Sequence, residues 1–440
     1  MDDRTRVLMC LSLCLTIAAL SRGGEREEWK ERRGRAAEGF ADGLLLVHSK
    51  ALTDFVSDGY RERAAFYYLT GLENSPGAIL AIDSASRESW LFLPPAGRGE
   101  VREVEAGDAA AQRLGLEHVV EWTEFEKFLS KRIAGGKKIY YEAGVAELPG
   151  EFSTIKDGRA PAWIQVLANK WPGANFQAAG RRLYSLMAVE SASEQQASRE
   201  AARATVSAVL AGMRAIRPGV SQRSVEVVVE NSCWTAGARG VSFWPWIMAG
   251  ANGMLPKPFE SAERYDHLDG VMKSGDLVRV DVGCEWKHYQ GDLGRTVPVS
   301  RHYTDEQRET WNLFVAAYRA TAKTFREGVS EDQAFETWKQ ELLRHRETTK
   351  TALAKQAIET WSDRKNMPYW QMHTMNLDAG YIEGTLKPGM VIDFEPIASL
   401  GGQGYYLEDM YLIGKESAEV LTPGVPYTAE EIEAYMTKKR

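Results

Sequence analysis

Four acidic residues in the C-terminal part of the chain form two pairs, and each pair brackets a tight-turn dipeptide. Asp281 and Asp292 flank Trp286-Lys287, while Glu395 and Glu408 flank Gly401-Gly402. Two-residue hairpin loops at those dipeptides set 285 opposite 288 and 400 opposite 403. By the same register, 281 faces 292 and 395 faces 408. Directly opposed residues have Cβ atoms about 4.5–5.5 Å apart, and like charges there are destabilising. One pair alone reads as the solvated acidic edge of a hairpin. Two pairs call for positive charge between them, which a pair of metal ions supplies. Four carboxylates are hard oxygen ligands, and with one imidazole added the set suits Mn, Co, Fe or Zn. Two carboxylate-bridged ions about 3.5–4 Å apart generate hydroxide at neutral pH and polarise a carbonyl. That is hydrolase chemistry.

The elements that must position these acids are strands. Val278, Val280 and Val282 fall on one face of a strand and Asp281 on the other, so the acid points away from the apolar layer. Val391, Asp393 and Glu395 share a face, with Ile392 and Phe394 on the opposite one. Three helices surround these hairpins. Ser191-Ala-Ser-Glu194 is a capping box opening a helix with an alanine stripe at 197, 201, 204, 208, 211 and 215, ended by Pro218-Gly219. Thr304-Asp-Glu-Gln307 and Ser330-Glu-Asp-Gln333 cap two more. The second half, 185–440, is therefore α+β, with antiparallel strands and helices packed on one side. The first half, 22–184, reads as a smaller α/β domain. Its strand-like runs are Gly43–Val47, Gly77–Ile82, Trp90–Leu93 and Lys138–Tyr141, with a helical stretch at Asp108–Leu114.

The 440 residues accommodate two domains. A formal net charge of −7 argues against nucleic acid or anionic membrane as the main partner. Arg4 and Arg6 precede an apolar run from Val7 to Leu20, the pattern of a secretory signal, with cleavage expected after Ser21. The expected location is therefore outside the cytoplasm, periplasmic or extracellular. Cys10 and Cys14 leave with the signal. Cys233 and Cys284 have no His or Cys neighbour at metal spacing and read as buried thiols.

Several of these segments resemble the Xaa-Pro aminopeptidases and prolidases among the pita-bread metallopeptidases. Leu277-Val-Arg-Val-Asp281-Val-Gly-Cys followed by Gly291-Asp292-Leu-Gly-Arg295-Thr296 is similar to that family's metal-binding hairpin. Lys387-Pro-Gly-Met-Val-Ile-Asp-Phe-Glu395-Pro396 and Leu407-Glu408-Asp409 resemble its later acidic segments. His373 stands four residues before Leu377-Asp378, where the family has its metal histidine. In the first half, Ser57-Asp-Gly-Tyr60-Arg61 and Phe66-Tyr-Tyr-Leu-Thr-Gly71 resemble the N-terminal domain of aminopeptidase P. The resemblance implies a pita-bread catalytic domain behind a smaller N-terminal domain. It implies two divalent ions, Mn ahead of Co or Zn, held by Asp281, Asp292, His373, Glu395 and Glu408. Asp292 and Glu408 bridge the ions, and Glu395 also handles the proton of the attacking water. The implied substrate is a peptide with proline second, and the implied assembly is a homo-oligomer, a dimer or tetramer.

The sequence departs from the family at residues that hold substrate. Histidines belonging four before and seven after the metal histidine fall on Tyr369 and Gly380. A substrate-side histidine falls on Lys257, and the arginine two before the last Glu falls on Tyr406. Losing one such donor costs about 10²–10³ in kcat. Lys257, Tyr369 and Tyr406 are the expected substitutes, with His267 a further one; Trp244, Trp246 and Trp370 are candidates to line a proline site. The alternatives are a metal- or peptide-binding homologue without turnover and a prolidase-type dipeptidase.

Overall fold

The computed structural model describes residues 24–40, 42–50, 61–95, 102–142, 162–254, 270–377 and 379–438. The signal segment, Ser57–Tyr60, Lys257, His267 and Asp378 lie outside them. The chain divides between Met187 and Ala188 into two compact units.

The first unit carries strands β1 (Gly43–His48), β2 (Ile79–Asp83), β3 (Glu88–Leu93), β4 (His118–Glu121), β5 (Lys138–Tyr141) and β6 (Phe176–Ala178). They form one mixed sheet in the order β4-β3-β2-β1-β5-β6. Its core joins Leu44, Leu46, Ile79 and Phe92 to Phe125, Phe128 and Leu129. The last three project from a helix, Phe125–Ala134, that the sequence reading did not identify.

The second unit carries β7 (Gly240–Val241), β8 (Trp246–Ala249), β9 (Leu277–Val282), β10 (Cys284–Trp286), β11 (Tyr289–Gln290), β12 (Leu293–Pro298), β13 (Tyr369–Met375), β14 (Ala379–Tyr381), β15 (Val391–Leu400), β16 (Gln403–Ile413) and β17 (Ala418–Val420). The large sheet runs β14-β13-β15-β16-β12-β9-β8, with β17 on β16. Every pairing in it is antiparallel. All three expected capping boxes form, at Ser191, Thr304 and Ser330. Each satisfies two backbone N–H groups at a helix start that would otherwise lack partners. Helix Ala192–Ala215 buries Ala201, Ala204 and Ala208 as expected, but its inner face also takes Ser198, Thr205, Val209 and Gly212. Ala197, Ala211 and Ala215 are only half-buried at its rim. One face of the sheet and these helices share a core containing Val278, Val280, Val282, Ile392 and Phe394 with Trp311, Trp338 and Trp361. The opposite sheet face is left for the acids.

Cys233 and Cys284 are joined in a disulfide, which corrects the expectation of separate buried thiols. Helix Gln222–Thr235 lies beside β10 and brings the two Cα atoms to 5.5 Å. A sequence separation of 51 leaves no local trace of that approach.

Candidate metal centre

The first hairpin is tighter than expected. Glu285 faces Gln290 and Trp286 faces Tyr289, so the turn residues are Lys287 and His288. Both have positive φ, 48° and 69°, as a twist-matched two-residue hairpin turn requires. Neither is a residue that advertises such a turn, so the expected turn at Trp286-Lys287 falls one position early. Asp281 consequently faces Gly294, and the expected opposition of Asp281 and Asp292 does not form. The correction slides the partner strand by two residues, which preserves the face. Asp281 and Asp292 are diagonal neighbours on one side of the sheet. The second hairpin turns at Gly401-Gly402 as expected, with Leu400 facing Gln403 and φ values of 59° and 76°. Phe394 faces Asp409 and Ile397 faces Tyr406, a register that sets Glu395 across from Glu408. Pro396 interrupts the ladder between them because it has no N–H.

Two cross-strand rows then build the site. Asp281 on β9, Gly294 on β12 and Glu408 on β16 form one row. Arg279 and Thr296 face each other in the next, and Tyr406 joins them: its N–H donates to Thr296 Oγ1 at 2.8 Å. Gly294 has no side chain, and the Tyr406 ring fills the space. A Cβ at 294 would lie 1.8 Å from Tyr406 Cε1. The Tyr406 hydroxyl lies 3.2 Å from Glu395 Oε2 and within hydrogen-bond reach of Glu408 Oε2, its one proton shared between the two carboxylates. β13 brings in the imidazole. His373 faces Asp393 and Gln371 faces Glu395. His373 Nε2 lies 3.2 Å from Glu395 Oε1, and Nδ1 lies 3.2 Å from the Thr374 carbonyl oxygen. With the proton on Nδ1, donating to that carbonyl, Nε2 keeps a lone pair for a metal. Ligand atoms of Asp292, His373 and Glu408 lie within 4.8 Å of one another.

The acids are buried: Asp281 is 6% exposed, Asp292 7%, Glu395 9%, and Asp393 and Glu408 0%. Burial, followed by the charges of Asp393, Asp281 and Glu395, pushes the Asp292 carboxyl well above the usual carboxylate range. Burial and the Asp292 charge do the same to Glu408, and burial and the Glu408 charge to Asp393. Burial also raises Asp281, against the opposing Arg279 charge. Glu395 goes the other way: burial opposes its charge, but His373 holds it low. Asp292 Oδ1, Glu408 Oε1 and both oxygens of Asp393 are buried without a hydrogen-bond partner. Buried carboxylate oxygens with no donor are costly, and divalent cations among them would satisfy them. The donor set fits divalent metal on this test.

Below the site, Arg295 locks the strands together. It is fully buried and donates to Asp409 Oδ1 at 3.0 Å, to the Glu408 carbonyl at 2.6 Å and to the Pro426 carbonyl at 3.0 Å. Thr422 adds a hydroxyl to Asp409 Oδ1 at 2.8 Å.

The remaining expected residues divide. Tyr369 lies on the same face of β13 as Gln371 and His373. Trp370 does not line the site: it is fully buried on the other face, edge-on to Phe335 and Phe394. Trp246 faces Asp281 across β8 and β9, and Trp244 donates to Glu226 Oε2 at 3.3 Å. Three residues of the site escaped the sequence reading as functional groups. Gln371 donates to Glu395 Oε1. Arg279 donates to Asp281 Oδ2 at 2.6 Å. Asp393 shares the Glu395 face of β15, with both carboxylate oxygens buried and unpartnered. The signal for all three is the period of two, since each lies two residues from a ligand on its own strand.

Comparisons with known proteins agree with this fold. Residues 196–415 match the model of metallopeptidase family M24, and residues 29–140 match the aminopeptidase P N-terminal domain. The chain is 25% identical to the Xaa-Pro aminopeptidase of Escherichia coli, covering 94% of this chain and 98% of that protein. It is also 25% identical to the mitochondrial intermediate cleaving peptidase 55 of Arabidopsis thaliana, covering 93% of this chain and 83% of that one. The structure of Escherichia coli aminopeptidase P with the inhibitor Pro-Leu superposes with a TM-score of 0.74 at 24% identity, over 93% of this chain and 98% of that one. The fold and the acidic centre define a metal-dependent peptidase with the pita-bread architecture. The chain belongs to metallopeptidase family M24, with an N-terminal domain of the aminopeptidase P type.

Proposed function

We propose that this chain is an Xaa-Pro aminopeptidase that removes the first residue from peptides with proline second. Two divalent ions, Mn ahead of Co or Zn, would be held by Asp281, Asp292, His373, Glu395 and Glu408, with Asp292 and Glu408 shared between them. The observation that carries this reading is the convergence of buried Asp292 and Glu408 with His373, leaving an oxygen of each acid that no protein group satisfies. Bound ions there supply Lewis acidity for the scissile carbonyl and make water a nucleophile at neutral pH. Glu395 accepts the proton of the attacking water and returns it to the departing proline nitrogen. Bound cations would hold it ionised for the first half of that transfer. Tyr406 stays a neutral donor because burial and the surrounding acids raise its pKa well above the ordinary value. Its hydroxyl holds Glu395 and Glu408 together.

The Cys233–Cys284 disulfide supports an exported protein, since such bonds persist in oxidising compartments. The family resemblance supports a homo-oligomer, which light scattering would read directly. The substrate assignment is tested with Xaa-Pro-Yaa peptides, matched Xaa-Ala-Yaa controls and Xaa-Pro dipeptides in Mn or Co. Release of Xaa from the first set alone is the expected result. Cleavage of dipeptides alone would make the protein a prolidase, and no cleavage of any set would refute the assignment.

A further inference from the structure

Arg279 is a buried cation inside a ring of acids, and no sequence motif accounts for it. It is 3% exposed. One guanidinium nitrogen, Nη2, donates to Asp281 Oδ2 at 2.6 Å. Nε and Nη1 are buried with no hydrogen-bond acceptor. The guanidinium instead lies 4.0 Å from the centroid of the Tyr406 ring and 5.4 Å from that of Trp246. A charge placed so, with two of its donors idle, is poorly used as a structural ion pair, whose stability depends on satisfying the remaining donors. Its position serves the acids better. Arg279 on β9 faces Thr296 on β12, and Thr296 is bonded to the backbone of Tyr406 on β16. Positions 279 and 406 thus stand in one cross-strand row, two strands apart, with the small Thr296 between them. The Tyr406 ring leans over Gly294, where a Cβ would meet it at 1.8 Å. That opens the row to a guanidinium arriving from the other side.

We propose that Arg279 is a positioning residue of the metal centre, setting Asp281 from β9 with Tyr406 as its stacking partner. Arg279 fixes the rotamer of Asp281 through a charge-assisted hydrogen bond. The Tyr406 ring holds Arg279 in the plane that bond requires, a geometry that a lysine ammonium does not reproduce. Tyr406 in turn links Glu395 and Glu408, so one stacked pair orients three of the five expected ligands.

The test compares the wild type with Arg279→Leu, Arg279→Lys and the exchange variant Arg279→Leu/Tyr406→Arg, all loaded with Co(II). The visible spectrum of bound Co(II) reports ligand geometry with or without turnover, and cleavage of an Xaa-Pro-Yaa peptide gives kcat and KM. Arg279→Leu and Arg279→Lys are expected to alter the Co(II) bands. In Arg279→Leu, kcat should fall about 10²-fold or more, with KM changed only a few-fold. The exchange variant should recover the wild-type bands and at least tenfold of the lost kcat. Unchanged bands in both single variants, or an exchange variant no better than Arg279→Leu, would overturn the proposal. If Arg279→Leu does not fold, the bands of Arg279→Lys decide alone: altered bands support the proposal and wild-type bands overturn it. Turnover depends on the aminopeptidase reading proposed above, but the Co(II) spectra do not. A wild type inactive on Xaa-Pro peptides would therefore count against that reading and leave the spectra to judge Arg279.

Discussion

At the scale of single residues, the centre is a concentration of negative charge that the protein alone does not neutralise. Arg279 donates to Asp281 within it, and His373 lies against Glu395. Asp281, Asp292, Asp393 and Glu408 all have folded-state pKa values above their ordinary ones. An acid raised in this way contributes stability that is fully present below its unfolded value, about 4, and is lost as pH rises through the raised folded value. Metal-free protein should therefore lose stability as pH rises from 5 to 8, and metal should restore it. The gap in Tm between Mn-loaded and metal-free protein should widen over that interval. A gap independent of pH would contradict the electrostatic account. Asp393→Asn removes one of the unsatisfied buried charges, so metal-free Asp393→Asn should melt higher than metal-free wild type at pH 8. Sequence reading singled out Asp281, Asp292, His373, Glu395 and Glu408 because acids and a histidine carry their chemistry in their names, and the structure groups Asp292, His373 and Glu408 among them. It missed Arg279 and Gln371 because their roles come from neighbours on other strands.

At the scale of elements, register does the positioning. The Gly401-Gly402 turn was legible because glycine tolerates positive φ. The Lys287-His288 turn was not, because nothing in a lysine and a histidine announces that backbone. The resulting error of two residues kept every face correct, which is why the acid cluster survived it while the specific opposition of Asp281 and Asp292 did not. Gly294 is the element-level counterpart of the catalytic residues. Gly294→Ala forces a Cβ into the Tyr406 ring. It should cost about 1–3 kcal/mol by overpacking. It should also displace the Tyr406 hydroxyl from Glu395 and Glu408. A lowered Tm together with altered Co(II) bands is the expected result; an unchanged spectrum would mean that the ring does not set the ligands. Trp370 shows the same logic from the other side. Its place next to a motif residue suggested a substrate pocket, but its parity on β13 sends it to the core.

At the scale of the whole molecule, the two-part organisation, four of the six strands of the first unit and the capped helices of the second were legible from patterning, while the short strands His118–Glu121 and Phe176–Ala178 were not. Capping boxes and period-two alternation are local signals. The Cys233–Cys284 bond was not legible, since it depends on how a helix lies against a strand many residues away. Cys233→Ser/Cys284→Ser should lower stability by about 2–4 kcal/mol. Under non-reducing conditions the native protein should leave both thiols unalkylated; alkylation of either would contradict the bond. The central claim is that the two acid-bearing hairpins and His373 form a two-metal hydrolytic centre. Elemental analysis of purified protein, coupled to Xaa-Pro-Yaa cleavage by the same sample and by Glu395→Gln, tests it most directly. Two divalent ions per chain, cleavage by the wild type and none by Glu395→Gln are the expected results. Folded protein that binds no divalent metal, or a Glu395→Gln variant that cleaves as fast as wild type, would contradict it.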